Sequence, residues 1–199
     1  FRQSLSRLLE RILIPFADGV VTVSDRIADW YGDKYGLKCP SVVVNAPPQW
    51  NLKKSSDLFR KRFDLSSGTR IFLYLGGLQS GRAIEAMLDA FSKVDDLALV
   101  LMGYGGVSTE GKRLEALVRE RAGCEANLFF HEPVRQEELP EYVTSADVGL
   151  CLIEDKCLSY RYCLPNKLFE YAMAGLPIIV SDLPEMRDKV ELYRCGVVC

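Results

Sequence analysis

The chain reads as an α/β protein built on a doubly wound, Rossmann-like parallel sheet. Three observations predict this fold. Apolar runs of strand length alternate with amphipathic stretches of helix length through most of the 199 residues. Some of these runs, LALVLM at 97–102 and PIIV at 177–180, are apolar throughout, as strands covered on both faces are. Glycine-rich turns follow two of the strands, where a doubly wound sheet receives its ligand.

The elements follow in order. Residues 1–16 (FRQSLSRLLERILIPF) form a helix with Leu5, Leu8, Leu9, Ile12 and Leu13 on one face. A core-facing helix is the favoured reading and a membrane-surface helix the alternative. Residues 19–24 (GVVTVS) are a strand, 25–35 a helix with Ser24 as N-cap, and 41–45 (SVVVN) a short strand. Two prolines and a polar run mark 46–56 as a linker, followed by a short helix at 57–63. Strands are then expected at 70–75, 97–102, 127–131, 148–152, 178–181 and 196–199. Helices are expected at 84–93, 110–121, 136–145, 166–174 and 184–191. Crossovers between parallel strands should be right-handed. The division this suggests is 1–48 as the end of one domain and 49–199 as most of a second.

Composition narrows the class. The chain is 48% hydrophobic and 26% charged, with 25 Lys plus Arg against 27 Asp plus Glu. Disordered, collagen-like and disulfide-stapled classes do not fit these values. A net charge of −2 also speaks against nucleic acid as a partner, because phosphate backbones reward a dense basic face. No apolar run is long enough to span a bilayer. No signal peptide is visible, and the first residue is Phe, so the sequence reads as a piece of a longer chain. The cysteines are Cys39, Cys124, Cys151, Cys157, Cys163, Cys195 and Cys199, with no CxxC pair. Buried, reduced thiols in a cytoplasmic protein are expected rather than a metal site.

Three segments carry candidate chemistry. Gly76-Gly77-Leu78-Gln79-Ser80-Gly81-Arg82 lies between a strand and a helix. It is either a phosphate-approaching loop with Arg82 as counter-charge or a plain glycine turn. Gly103-Tyr104-Gly105-Gly106 is a second glycine turn on the same sheet edge, but Ser108 stands where a dinucleotide fingerprint needs its third glycine. The densest segment is 159–184, SYRYCLPNKLFEYAMAGLPIIVSDLP. Pro165 opens a helix, so Asn166 and Lys167 fall in its first turn, where free amides favour an anion. Glu170 follows one turn later on the same face. It either accepts hydrogen bonds from ribose hydroxyls or pairs with Lys167 on a solvated face. His131, the only histidine, ends a strand and is either structural or part of a base pocket. No Asp-x-Asp metal motif and no Ser/His/Asp set can be assembled.

In this order the segments resemble the GT-B glycosyltransferases of group 1, family 4. The likeness runs from ADGVVTVSDRIADWYGDKYG and SVVVNAPP through IFLYLGGLQSGRAIEAMLDAF and LFFHEPVRQEELPEYVTSADVGLCL to LPNKLFEYAMAGLPIIVSD. The resemblance implies a retaining transfer of sugar from a UDP-sugar or GDP-sugar, without metal or other cofactor. The acceptor would be a glycan or lipid-linked sugar, in polysaccharide biosynthesis. It implies that 49–199 is the donor-binding domain, cut short at its end, and that 1–48 closes an otherwise missing acceptor-side domain. The fragment alone would then be inactive. A cytoplasmic place, with peripheral association at the inner membrane face, belongs to the same expectation.

Carried onto this sequence, Glu170 matches the acid that binds the ribose hydroxyls. The motif's other acid falls at Tyr162 and is absent. Leu164, Pro165, Asn166 and Lys167, with Leu168 after them, match the stretch that meets the sugar and phosphates. The phosphate-binding cation pair falls at Gly77 and Arg82, so one charge is lost, and Lys167 is the candidate replacement. Gly76 and Gly103 supply the close backbone turns. His131 and Val134 match the segment that contacts the base. A non-catalytic nucleotide-sugar-binding module and a nucleotide-sugar epimerase are the competing readings; an NAD-dependent dehydrogenase is disfavoured by the incomplete fingerprint.

Overall fold

A computed structural model describes residues 2–38, 40–50 and 56–199, the side chains of 2–4 excepted. The described residues form two sheets. The smaller pairs β1 (Val21–Thr22) with β2 (Ser41–Val42) in parallel, through α2 (Asp25–Tyr35). The larger holds β3 (Arg70–Leu75), β4 (Leu97–Met102), β5 (Leu128–His131), β6 (Val148–Cys151), β7 (Ile178–Val180) and β8 (Gly196–Val198) in the order β5-β4-β3-β6-β7-β8, every pair parallel. The chain winds outward from β3 in one direction, then returns to β6 and winds outward in the other. The switch point therefore lies between β3 and β6, whose register pairs Tyr74 with Leu150.

The helices follow the crossovers: α3 (Leu58–Phe63), α4 (Ile84–Phe91), α5 (Thr109–Cys124), α6 (Leu139–Val143), α7 (Leu158–Arg161), α8 (Asn166–Met173) and α9 (Pro184–Tyr193). Period-two alternation divides the core between the sheet's two faces. Ile71, Leu73, Val100 and Met102 pack on one side with Phe59, Tyr171 and Met186; Tyr74, Leu99 and Leu101 pack on the other with Ile84, Leu88 and Val118. Ala98 to Met102 are at most 1% exposed, which explains the uniformly apolar run of β4.

Tyr171 of α8 closes the switch point from beneath. Its buried hydroxyl donates to the Leu73 carbonyl at 2.9 Å and accepts from the Leu75 N–H at 2.9 Å. Its ring lies flat on Gly149, where a Cβ would come within 2.3 Å of the ring. Tyr171→Phe should destabilise the fold by about 1–3 kcal/mol, because it strands a buried strand amide. An unchanged denaturation midpoint would refute this.

The amino-terminal segment meets the larger unit through polar contacts. Ser24 Oγ donates to the Tyr162 carbonyl at 2.9 Å, and the Arg26 N–H donates to Glu185 Oε1 at 2.8 Å. Arg26 also pairs with Asp188 at 2.6 Å. Trp50 packs against the core of the large sheet. Residues 51–55 of the expected linker and Cys39 lie outside the described residues.

Four expectations are corrected. The first helix, α1 (Arg2–Leu13), with a 3-10 turn at Ile14–Phe16, does not face a core. Leu5, Leu8, Leu9, Ile12 and Leu13 are 48–61% exposed. The helix is held from its other side, where Glu10 accepts hydrogen bonds from the Tyr31 and Tyr35 hydroxyls and pairs with Lys34. The strands expected at 19–24 and 41–45 shrink to two residues each, since each has only the other as a described partner. The helix expected at 136–145 is confined to α6, while α7, absent from the expectation, forms in a stretch with no helical periodicity. Finally, the cysteines are not uniformly buried: all six described ones are free, but Cys124, Cys157 and Cys199 are exposed. Ser24 does cap α2, accepting from the Ile27 N–H at 3.4 Å.

Candidate functional site

A cavity of about 470 Å³ opens at the carboxyl ends of β3 and β4, over the switch point. Sites for small ligands have roughly 300–1,000 Å³. Gly76, Gly77, Gln79 and Arg82 line it from the loop after β3, and Gly103 and Tyr104 from the turn after β4. Pro133, Val134 and Gln136 line it beyond β5, and Pro165, Asn166, Lys167 and Glu170 where α8 begins.

The two glycine turns touch. Gly76 adopts φ 126°, open to glycine alone, and a Cβ on Gly103 would sit 1.8 Å from the Gly76 carbonyl oxygen. The turns extend the β3–β4 ladder, with Gly76 N–H bonded to the Met102 carbonyl at 3.0 Å and Leu78 N–H to the Tyr104 carbonyl at 2.9 Å. The Tyr74 hydroxyl donates to the Gly77 carbonyl at 2.7 Å and fixes the loop from within the strand.

Pro165 occupies the N-cap of α8 in extended conformation, and no side chain caps the helix. The amides of Asn166 and Lys167 therefore have no intrahelical acceptor and face the cavity's end of the helix dipole. Lys167 is 8% exposed, and its ammonium lies 3.9 Å from the centroid of the Tyr74 ring, beside Gly76. Its Nζ is buried and has no hydrogen-bond partner, the one such side-chain nitrogen or oxygen among the described residues. Burial pushes its pKa down to about 8; Cys151 and Glu170 pull it upward and Arg82 pushes it further down.

Glu170 is also 8% exposed, and burial raises its carboxyl above the usual range against the pull of Lys167. The two do not pair with each other, and neither stands on a solvated face, so the reading of a local surface ion pair is overturned. The half-buried Arg82 guanidinium stacks 4.9 Å from the Tyr160 ring centroid and has no carboxylate partner among the described residues. Three positive features thus converge on one apolar-floored cavity: Lys167, Arg82 and the start of α8. Such an arrangement is suited to a multiply charged anion.

The cavity brings together Gly76, Gly77, Arg82, Gly103, Val134, Pro165, Asn166, Lys167 and Glu170. His131, Leu164 and Leu168 are not among its lining residues. The His131 ring packs 4.8 Å from Tyr142 and 5.7 Å from Phe59, with Nδ1 2.6 Å from the Glu132 carbonyl oxygen. Leu164 and Leu168 belong to the hydrophobic core. Sequence reasoning missed Tyr74 and Tyr160, the aromatic seats of the two cations. The signal for Tyr74 was a hydroxyl-bearing ring in the otherwise aliphatic run LYL; Tyr160 gave none.

Comparison with known proteins decides the family. Residues 69–199 match the family model described as glycosyl transferases group 1. The chain belongs to this family. No curated protein matches its sequence. Among solved structures, this group 1 chain is similar to HepE of Anabaena in complex with UDP-glucose, at 13% identity and TM-score 0.76, over 100% of this chain and 54% of that one. It is similar to sucrose-phosphate synthase of Thermosynechococcus elongatus at 23% identity and TM-score 0.70, over 96% and 47%. A glycosyltransferase of Rickettsia africae aligns at 13% identity and TM-score 0.67, over 98% and 52%. At these identities the likeness carries the fold, the Rossmann-like α/β architecture of GT-B glycosyltransferases. The group 1 chain spans about half the length of these solved relatives. Among its described residues no helix is long and apolar enough to cross a membrane.

Proposed function

We propose that this chain is mainly the donor-binding part of a retaining, family 4 glycosyltransferase that moves a sugar from a nucleoside diphosphate sugar to a glycan or lipid-linked acceptor. One observation carries the reading: a buried lysine without a partner, at the uncapped start of α8 and against the first glycine turn. A buried cation left alone is costly unless an anion completes it. In this reading the diphosphate lies between Gly76, the first-turn amides and Lys167, with Arg82 on its outer side. Glu170, one turn on, accepts the ribose hydroxyls, and Val134 and its neighbours border the base. Residues 1–48 then close the acceptor-side domain, and the parent works in the cytoplasm or on the inner membrane face.

The chemistry asked of these groups is electrostatic. As the glycosidic carbon–oxygen bond breaks, its electron pair passes to the diphosphate. Lys167, Arg82 and the amides are already aimed at that developing charge. In the full-length parent, Arg82→Ala should lower transfer by on the order of a hundredfold. In the chain itself, Glu170→Ala should weaken a nucleotide sugar by about tenfold to a hundredfold, the worth of hydrogen bonds to a charged acceptor. Calorimetric titration with UDP-glucose and GDP-mannose measures this. No binding of either, or binding indifferent to Glu170, Arg82 and Lys167 together, would remove the reading.

A second reading, a nucleotide-sugar-binding module without catalysis, is favoured by Tyr162 at the motif's other acid. Its ring lines a separate aromatic pocket with Trp30 and Tyr31. Donor hydrolysis and transfer assays on the full-length parent separate the two.

A further inference from the structure

The setting of Lys167 goes beyond anion binding. The face of the Tyr74 ring seats the ammonium, and the Tyr74 hydroxyl is committed to Gly77. Behind it on β6 stands Cys151, fully buried, its thiol pushed up to about 12 by burial. Cys163, ahead of α8, is likewise pushed up to about 11. Both are therefore neutral near pH 8. Arg82 repels the ammonium from the loop after β3. The positive end of α8 repels it from its own helix. Among the described residues Glu170 is the one carboxylate acting on it, and burial makes that carboxylate hold its proton more tightly than usual. In the cavity the charged amine is favoured by the Tyr74 ring face and Glu170 and opposed by burial, Arg82 and the helix end; a diphosphate placed there would tip the balance to the ammonium.

Resting on the reading of this cavity as a diphosphate site, we infer that Lys167 is partly uncharged in the empty site and takes up a proton as the donor binds. The lone pair on neutral Nζ accepts a proton from the buffer acid, whose conjugate base remains in solution, and the ammonium then pairs with the diphosphate. Donor binding is thereby coupled to pH through this one nitrogen.

The experiment is calorimetric titration of the chain with UDP-glucose at pH 8 in HEPES and in Tris, whose ionisation enthalpies differ and neither of which offers a phosphate to the cavity. The phosphates of this probe have no proton to exchange there. With the amine at about 8, roughly half a proton should be taken up per ligand at pH 8 and roughly a tenth at pH 7. Affinity should fall toward tenfold per pH unit above that midpoint. Lys167→Arg, which cannot deprotonate, should bind without uptake. Independently of any ligand, the stability difference between Lys167→Met and the unchanged chain should shrink as pH rises past 8. Binding with equal heats in both buffers, or a stability difference flat with pH, would overturn the coupling and leave the donor reading standing. Failure of UDP-glucose and GDP-mannose to bind between pH 6 and 9 would take both down.

Discussion

Lys167→Met should stabilise the ligand-free chain by about 2 kcal/mol while removing most of its affinity for a nucleotide sugar. Folding moves the amine from 10.5 to about 8. That difference of 2.5 units is worth about 3 kcal/mol against the folded state. Methionine fills the same volume with no charge to desolvate, but gives up the contact with the Tyr74 ring, worth about 1 kcal/mol. The folded state binds fewer protons at this site than the unfolded one. The penalty is therefore complete below pH 8 and fades as pH rises toward 10.5. For a chain of this size the gain should raise the melting temperature by about 4–8 °C near neutral pH, read by thermal denaturation. A melting temperature that falls would mean that the ammonium has a partner in solution. The simultaneous loss of binding is what distinguishes a functional buried charge from a tolerated one: residues kept against stability are expected where a ligand repays them.

Gly103→Ala should be the most damaging small substitution in the cavity. The new Cβ would stand 1.8 Å from the Gly76 carbonyl oxygen, a backbone atom fixed by the β3–β4 ladder. Relief requires parting the two turns, which breaks the Gly76–Met102 and Leu78–Tyr104 hydrogen bonds. A loss of at least about 3 kcal/mol is expected, the upper range of overpacking. A nucleotide sugar should no longer protect the variant from melting, because the cavity floor has moved. Urea denaturation with and without UDP-glucose measures both. Retained stability would show that the turns separate freely.

What could be read from sequence divides along physical lines. The strand LALVLM was legible to the residue because burial on both faces leaves an uninterrupted apolar signature, and RIFLYL because an apolar run of strand length follows Arg70 and ends at a glycine turn. The start of α8 was legible because a proline, a first turn and an i, i+3 spacing are local facts. The surroundings of α1 were not. Amphipathicity states which side of a helix is apolar, not what covers it, and here the polar side does the holding through Glu10. The seats of the cations were equally hidden, since Tyr74 with Lys167 and Tyr160 with Arg82 meet only after distant strands and helices come together. Leu164, ahead of the extended Pro165, and Leu168, turned inward within α8, both neighbour cavity-lining residues in sequence but lie in the core. Proximity in sequence to a site is a weak guide where orientation alternates residue by residue.

That alternation in α8 has an evolutionary corollary. Lys167 and Glu170 look outward to the cavity while Leu168 and Tyr171 are anchored among the strands. The helix cannot roll or slip to suit a differently shaped ligand without pulling its anchors loose. If the cavity holds a sugar nucleotide as proposed, descendants that adopt another are constrained to exchange single side chains, or to remodel the loops facing α8, while the helix keeps its place.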